Sequence, residues 1–125
     1  MKKTMLMGLL MLSMAACKKE VPGCTNANAT NYNAAATEDD GSCQYTGKVV
    51  FWFNQNRPDG TVYCGGQVAQ ITGYFTGTDP LCGNALCANF NLSEGTHNFT
   101  ASAGWQTWSG VVIVNRNGCT KVLLN

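Results

Sequence analysis

Residues 87–124 read CANFNLSEGTHNFTASAGWQTWSGVVIVNRNGCTKVLL, and this stretch decides the fold. In Cys87–Leu92 the apolar Phe90 and Leu92 fall on one face of an extended strand. Ser93-Glu94-Gly95 turns the chain and Thr96–Ala101 returns it. Trp108–Val114 is a strongly apolar strand, Asn115–Gly118 reads as a hairpin turn, and Thr120–Leu124 closes the sheet. No window keeps the i, i+3, i+4 apolar spacing that an amphipathic helix needs.

The same pattern runs upstream. Val49–Phe53 is a first strand, and Arg57-Pro58-Asp59-Gly60 a turn with Pro at a favoured position. Thr61–Cys64 and Gln67–Ile71 follow, split by Gly65-Gly66, and Tyr74-Phe75 continues the extended pattern. Asp79-Pro80 and Gly83-Asn84 mark loops. Strands at intervals of about 10 residues predict an all-β domain over residues 47–125, an antiparallel β-sandwich of about seven strands.

Composition narrows the function. Lys and Arg total 8 against 7 Asp and Glu, and a formal charge of +1 lacks the clustered basic residues that nucleic acid requires. His97 is the only histidine. A triad with Ser93 and Glu94 would need neighbouring strand positions, which point to opposite faces, and no G-x-S-x-G or H-E-x-x-H motif occurs. The reading is of a protein that is not an enzyme and needs no cofactor.

The first segment is an address. Lys2 and Lys3 precede an apolar run ending Met14-Ala15-Ala16-Cys17, about the length of a signal-peptide core and too short to span a membrane. Small residues directly before a Cys resemble the bacterial lipobox, a resemblance that implies cleavage of a helical signal peptide, residues 1–16, and acylation of Cys17. Two or three acyl chains anchor stably, because each buried methylene contributes about 0.8 kcal/mol. Residues 17–23 then form the anchor and tether. Lys18-Lys19-Glu20 resembles the surface-export signals of lipoproteins in the Bacteroidota, which implies the cell envelope, the outer membrane and its outer face.

Six cysteines remain besides Cys17, an even number that suggests disulfides in an oxidising compartment. Cys24 and Cys43 bracket a polar stretch with no core of its own, so a bridge between them closes a module over residues 24–43. Spacing favours Cys82–Cys87 and Cys64–Cys119 in the β domain, with Cys64–Cys82 and Cys87–Cys119 as the second arrangement. The pieces Cys24-Thr25, Ala29, Asn31-Tyr32 and Asp39-Asp40-Gly41-Ser42-Cys43 resemble a short module of secreted bacterial proteins. Its carboxylates are similar to those of calcium-binding repeats. Glu38, Asp39, Asp40 and Asn31 are therefore a calcium candidate set, against the alternative of a solvated turn held by Asx hydrogen bonds.

Phe90-x-Leu92-x-x-Gly95-x-x-x-Phe99, together with the Trp108–Val114 and Cys119–Leu124 strands, resembles carboxypeptidase-regulatory-like and transthyretin-like sandwiches. That resemblance implies an Ig-like or prealbumin-like architecture and roles in carbohydrate recognition, adhesion or domain spacing. The rings of Trp105, Trp108 and Tyr74 are the ligand candidates, since exposed aromatics stack on the C–H faces of sugars. Two functions follow as expectations: a lipid-anchored structural or interaction module, whose partner is another envelope protein, and a carbohydrate-binding lipoprotein. The membrane is a partner through the lipid alone.

Overall fold

The computed structural model describes residues 17–125; the expected leader, residues 1–16, lies outside the described residues. The described residues are all-β and contain no helix. A two-stranded ladder in the N-terminal module pairs β1 (Pro22–Gly23) with β2 (Glu38–Asp39). The rest builds two larger sheets. One has the order β6 (Ala88–Ser93), β3 (Thr46–Trp52), β9 (Cys119–Leu123). The other has the order β5 (Gln67–Ile71), β4 (Gly60–Cys64), β7 (Gly95–Ala103), β8 (Gln106–Val114).

One core joins the two sheets. Val49 and Phe51 of β3 and Phe90 and Leu92 of β6 meet Val62 of β4, Ile71 of β5, Ala101 of β7, and Val112 and Val114 of β8. Phe51 sets its ring edge-on to Phe90 and tilted against Phe99, with centroids 5.6 and 4.9 Å apart. Residues two apart on a strand share a face, which is why these alternate residues point inward together.

β3 departs from alternation for a physical reason. Val50 and Trp52 are as buried as Val49 and Phe51, but on the opposite face, with Cys87, Phe75 and Cys82 packed against them. The segment 72–87 covers that face, and the Phe75 amide donates to the Phe53 carbonyl. Tyr74-Phe75 is thus part of a covering loop and not the continuation of a strand.

The pairing corrects two expectations. β8 and β9 do not form a hairpin. The turn at Asn115–Gly118 carries the chain from one sheet to the other, with Asn117 in the left-handed region (φ 53°). It docks on β3, where the Asn117 amide donates to the Thr46 carbonyl and the Lys48 amide to the Gly118 carbonyl. β9 therefore arrives parallel to β3, so the three-stranded sheet is mixed, whereas the four-stranded sheet is antiparallel throughout.

Two bridges are present. Cys24 and Cys43 are joined, with Cα atoms 4.8 Å apart. The second joins Cys82 to Cys119, with Cα atoms 6.0 Å apart, and corrects both arrangements drawn from spacing, including Cys82–Cys87 and Cys64–Cys119. Cys64 faces the core shared by the sheets, whereas Cys82 and Cys87 belong to the cluster on the far face of β3. A bond from Cys64 to Cys82 or Cys119 would have to pass through the three-stranded sheet. Cys64 and Cys87 remain as buried thiols.

Registers define the two ends of the domain. Thr46 lies opposite Ser93, and Gly95 opposite Val114, at the proximal end, where the N-terminal module enters. Trp52 lies beside Leu123, and Gly60 opposite Ala103, at the distal end. The β7–β8 hairpin and the loops 53–59 and 72–87 gather there.

Candidate functional site

The β7–β8 turn lies at the distal end. Ala103 pairs with Gln106, so Gly104 and Trp105 form a two-residue loop. Gly104 takes a positive φ of 59°, as the first position of a tight hairpin turn requires. This geometry projects Trp105 into solvent, with 90% of its surface exposed. Behind it, Arg57 donates to the Gln106 side-chain carbonyl, and its guanidinium lies 5.4 Å from the Trp108 ring and 5.9 Å from the Phe53 ring.

Trp108 has a different fate. It sits on the inward side of β8 and packs against the shared core, tilted on Phe53 with centroids 5.7 Å apart. Its indole N–H donates to the Asn125 carbonyl at 2.7 Å. Its ring is partly buried at the distal end of the core and so differs from the almost fully exposed ring of Trp105. Tyr74 is half-exposed on the covering loop, next to the residue that bonds Phe53, and so shares the distal end with Trp105.

The outward face of the four-stranded sheet leads up to this rim. No strand of that sheet contains Asp, Glu, Lys or Arg. Thr100 and Ser102 on β7 alternate outward with inward Ala101 and Ala103, and Thr107 and Ser109 do the same on β8. Tyr63 of β4 lies opposite Thr100 and is 56% exposed. A groove of about 360 Å³ is lined by Tyr63, Thr100, Ser102, Thr107 and Ser109, with Ala101 and Trp108 beneath. Neither Tyr63 nor this face is among the candidates that the sequence singles out. The signal is the alternation of hydroxyl with small residues over Thr100-Ala101-Ser102-Ala103, continued by Thr107 and Ser109 on either side of Trp108.

The Ser–His contact at the proximal end has no catalytic geometry. His97 Nε2 lies 2.7 Å from the Ser93 carbonyl and 3.3 Å from the Ser93 hydroxyl. A ring nitrogen that donates to that carbonyl has no lone pair for the hydroxyl proton. Glu94 does not orient the ring; its carboxylate pairs with Arg116 at 3.1 Å.

In the module, three of the four calcium candidates hydrogen-bond the backbone. Asn31 accepts from the Gln44 amide and donates to the Ser42 carbonyl, both at 2.7 Å. Asp39 accepts from the Gly41 amide at 3.0 Å and Asp40 from the Ser42 amide at 2.9 Å. These are Asx turns. The hydrogen bonds from Ser42 hold the Asp40 carboxyl below its ordinary range. Glu38 is exposed on β2. Among the described residues, no three His, Cys, Asp or Glu side chains converge on one point. Cys17 is exposed.

Comparison with protein-family models, with curated proteins and with solved structures returns no match.

Proposed function

We propose that this chain is a lipid-anchored, non-catalytic interaction module of the cell envelope, built as a prealbumin-like or Ig-like β-sandwich. Cys17 carries the lipid, and Lys18-Lys19-Glu20, ahead of the residues that join β1 and its ladder, tether the folded part to the outer membrane. The observation that supports this most is polarity. The N-terminal module joins the proximal end, while Trp105 stands almost fully exposed at the distal end. An exposed tryptophan loses favourable burial for as long as it stays in water, and contact with a partner recovers it.

The test is a photo-crosslinking amino acid placed at position 105 in cells expressing the full chain. The account expects adducts there and none from position 48 on β3. Absence of adducts at 105 contradicts it.

A second reading is carbohydrate binding, favoured by the exposed Trp105 ring held at a rim that it shares with Tyr74. In that case the adducts at position 105 carry sugar and not peptide.

A further inference from the structure

We propose that a neutral polysaccharide chain lies along the outward groove of the four-stranded sheet, between Tyr63 and Trp105. This rests on the carbohydrate reading above and adds a location and a ligand class to it. The groove volume, about 360 Å³, lies within the range of small-molecule sites. Tyr63 marks one end, opposite Thr100, and the Gly104-Trp105 turn lies one residue pair beyond Ser102 and Thr107 at the other. At about 3.4 Å per residue the backbone from Thr100 to the Gly104-Trp105 turn runs roughly 15 Å along β7, a span of about three sugar units. Between them Thr100, Ser102, Thr107 and Ser109 present hydroxyls, each both a donor and an acceptor. A sugar chain offers the complementary set, hydroxyls on its edges and C–H groups on its faces.

Charge selects the ligand class. The four strands contain no Asp, Glu, Lys or Arg to hold or repel a uronate or sulfate, and the one guanidinium behind the rim, that of Arg57, is engaged by the Gln106 side chain and lies over the Trp108 and Phe53 rings. A second copy of this chain fits the face less well. Serine is depleted in protein interfaces and the cores of homodimer interfaces are mostly apolar, whereas this groove is lined chiefly by hydroxyls.

The test uses the full chain in detergent, run through native gels containing laminarin, xylan or galactomannan, with alginate as the anionic control. Retardation by a neutral polysaccharide is expected, with affinity falling about tenfold in Tyr63→Ala and again in Trp105→Ala. Tyr63 is more than half exposed, so its variant keeps the fold, which a thermal melt verifies. Retardation lost in Trp105→Ala but unchanged in Tyr63→Ala overturns the groove and leaves the carbohydrate reading standing. No retardation by any of the neutral polysaccharides overturns the groove, and retardation by alginate alone overturns the ligand class. A dimer in sedimentation that Tyr63→Ala dissolves assigns the face to a second copy and overturns the proposal.

Discussion

The guanidinium of Arg116 lies 3.5 Å from the centre of the Tyr45 ring. The same group pairs with Glu94 at 3.1 Å, and the Glu94 amide donates to the Tyr45 carbonyl. Tyr45 is buried against Cys24, Ala29 and Cys43, so this one side chain covers the joint between the disulfide module and the sheets. Arg116→Ala removes the cover. The ion pair is half exposed and is worth little by itself, so the expected loss is about 1 kcal/mol, mostly from the ring contact. Thermal unfolding reads the loss, and tyrosine fluorescence should show Tyr45 newly exposed. An unchanged melt would show that the joint does not depend on this contact.

Cys82–Cys119 connects the loop entering β6 with β9, the strands on either side of β3. Cys119→Ser should cost about 4 kcal/mol in the chain-entropy model for a separation of 37 residues. It should also release the loop from Val50 and Trp52, and Trp52 emission should then move to longer wavelength. Peptide mapping without reductant should recover Cys24–Cys43 and Cys82–Cys119, with Cys64 and Cys87 unpaired. Burial pushes both thiols up from 9.0, so they stay protonated and resist alkylation until the chain unfolds. Rapid labelling of either thiol in the native protein would contradict the packing.

Gly47 is the point where the β8–β9 crossing touches β3. A Cβ there would meet the Asn115 carbonyl oxygen and the Val114 side chain at 2.8 Å or closer. The Asn115 backbone cannot move aside without displacing the crossing, so Gly47→Ala should destabilise by about 1–3 kcal/mol. Chemical denaturation of the variant measures this. Wild-type stability would show that the crossing is displaced from β3.

Asp40 provides the acid response of the module. Its folded carboxyl titrates below the unfolded value of 3.8, because Ser42 hydrogen-bonds the ionised form. A depressed acid stabilises the fold above the unfolded value, and this contribution is lost as pH falls through the folded one. The carboxyl carbon of Asp40 should therefore titrate below 3.8 by NMR, with the Ser42 amide shift following it. Asp40→Asn, which still accepts the amide hydrogen bond, should keep the turn and lose the transition. A midpoint at or above 3.8 contradicts the turn.

Much of this arrangement is legible in the chain. The all-β class follows from short apolar runs between Gly, Asn and Pro, and β6, β7 and β8 fall close to where alternation puts them. The Cys24–Cys43 bridge can be read because the segment between them is too polar to fold otherwise. The other pairing cannot, because it depends on which face of β3 each cysteine occupies. In Val49–Phe53 both faces are apolar, so the strand gives no hint that a loop covers one of them. The parallel entry of β9 is hidden for a similar reason: Asn115–Gly118 has hairpin residues, and only its docking on Thr46 and Lys48 redirects it. At the candidate site, Trp105 is readable from Gly104 in a turn, but Trp108 is not separable from it until the strand's inward face is known. The hydroxyl face was present as alternation and was overlooked because threonine and serine carry no apolar signal.

The central claim is an anchored domain whose contact surface faces away from its anchor, and the anchor is tested most directly by mass. The full chain is expressed in a Gram-negative host, recovered from the membrane fraction and weighed intact beside Cys17→Ser. The account predicts loss of residues 1–16, acyl chains on Cys17, and transfer of the Cys17→Ser chain to the soluble fraction. A mature chain that begins elsewhere, or that carries no acyl group and partitions as Cys17→Ser does, would contradict it.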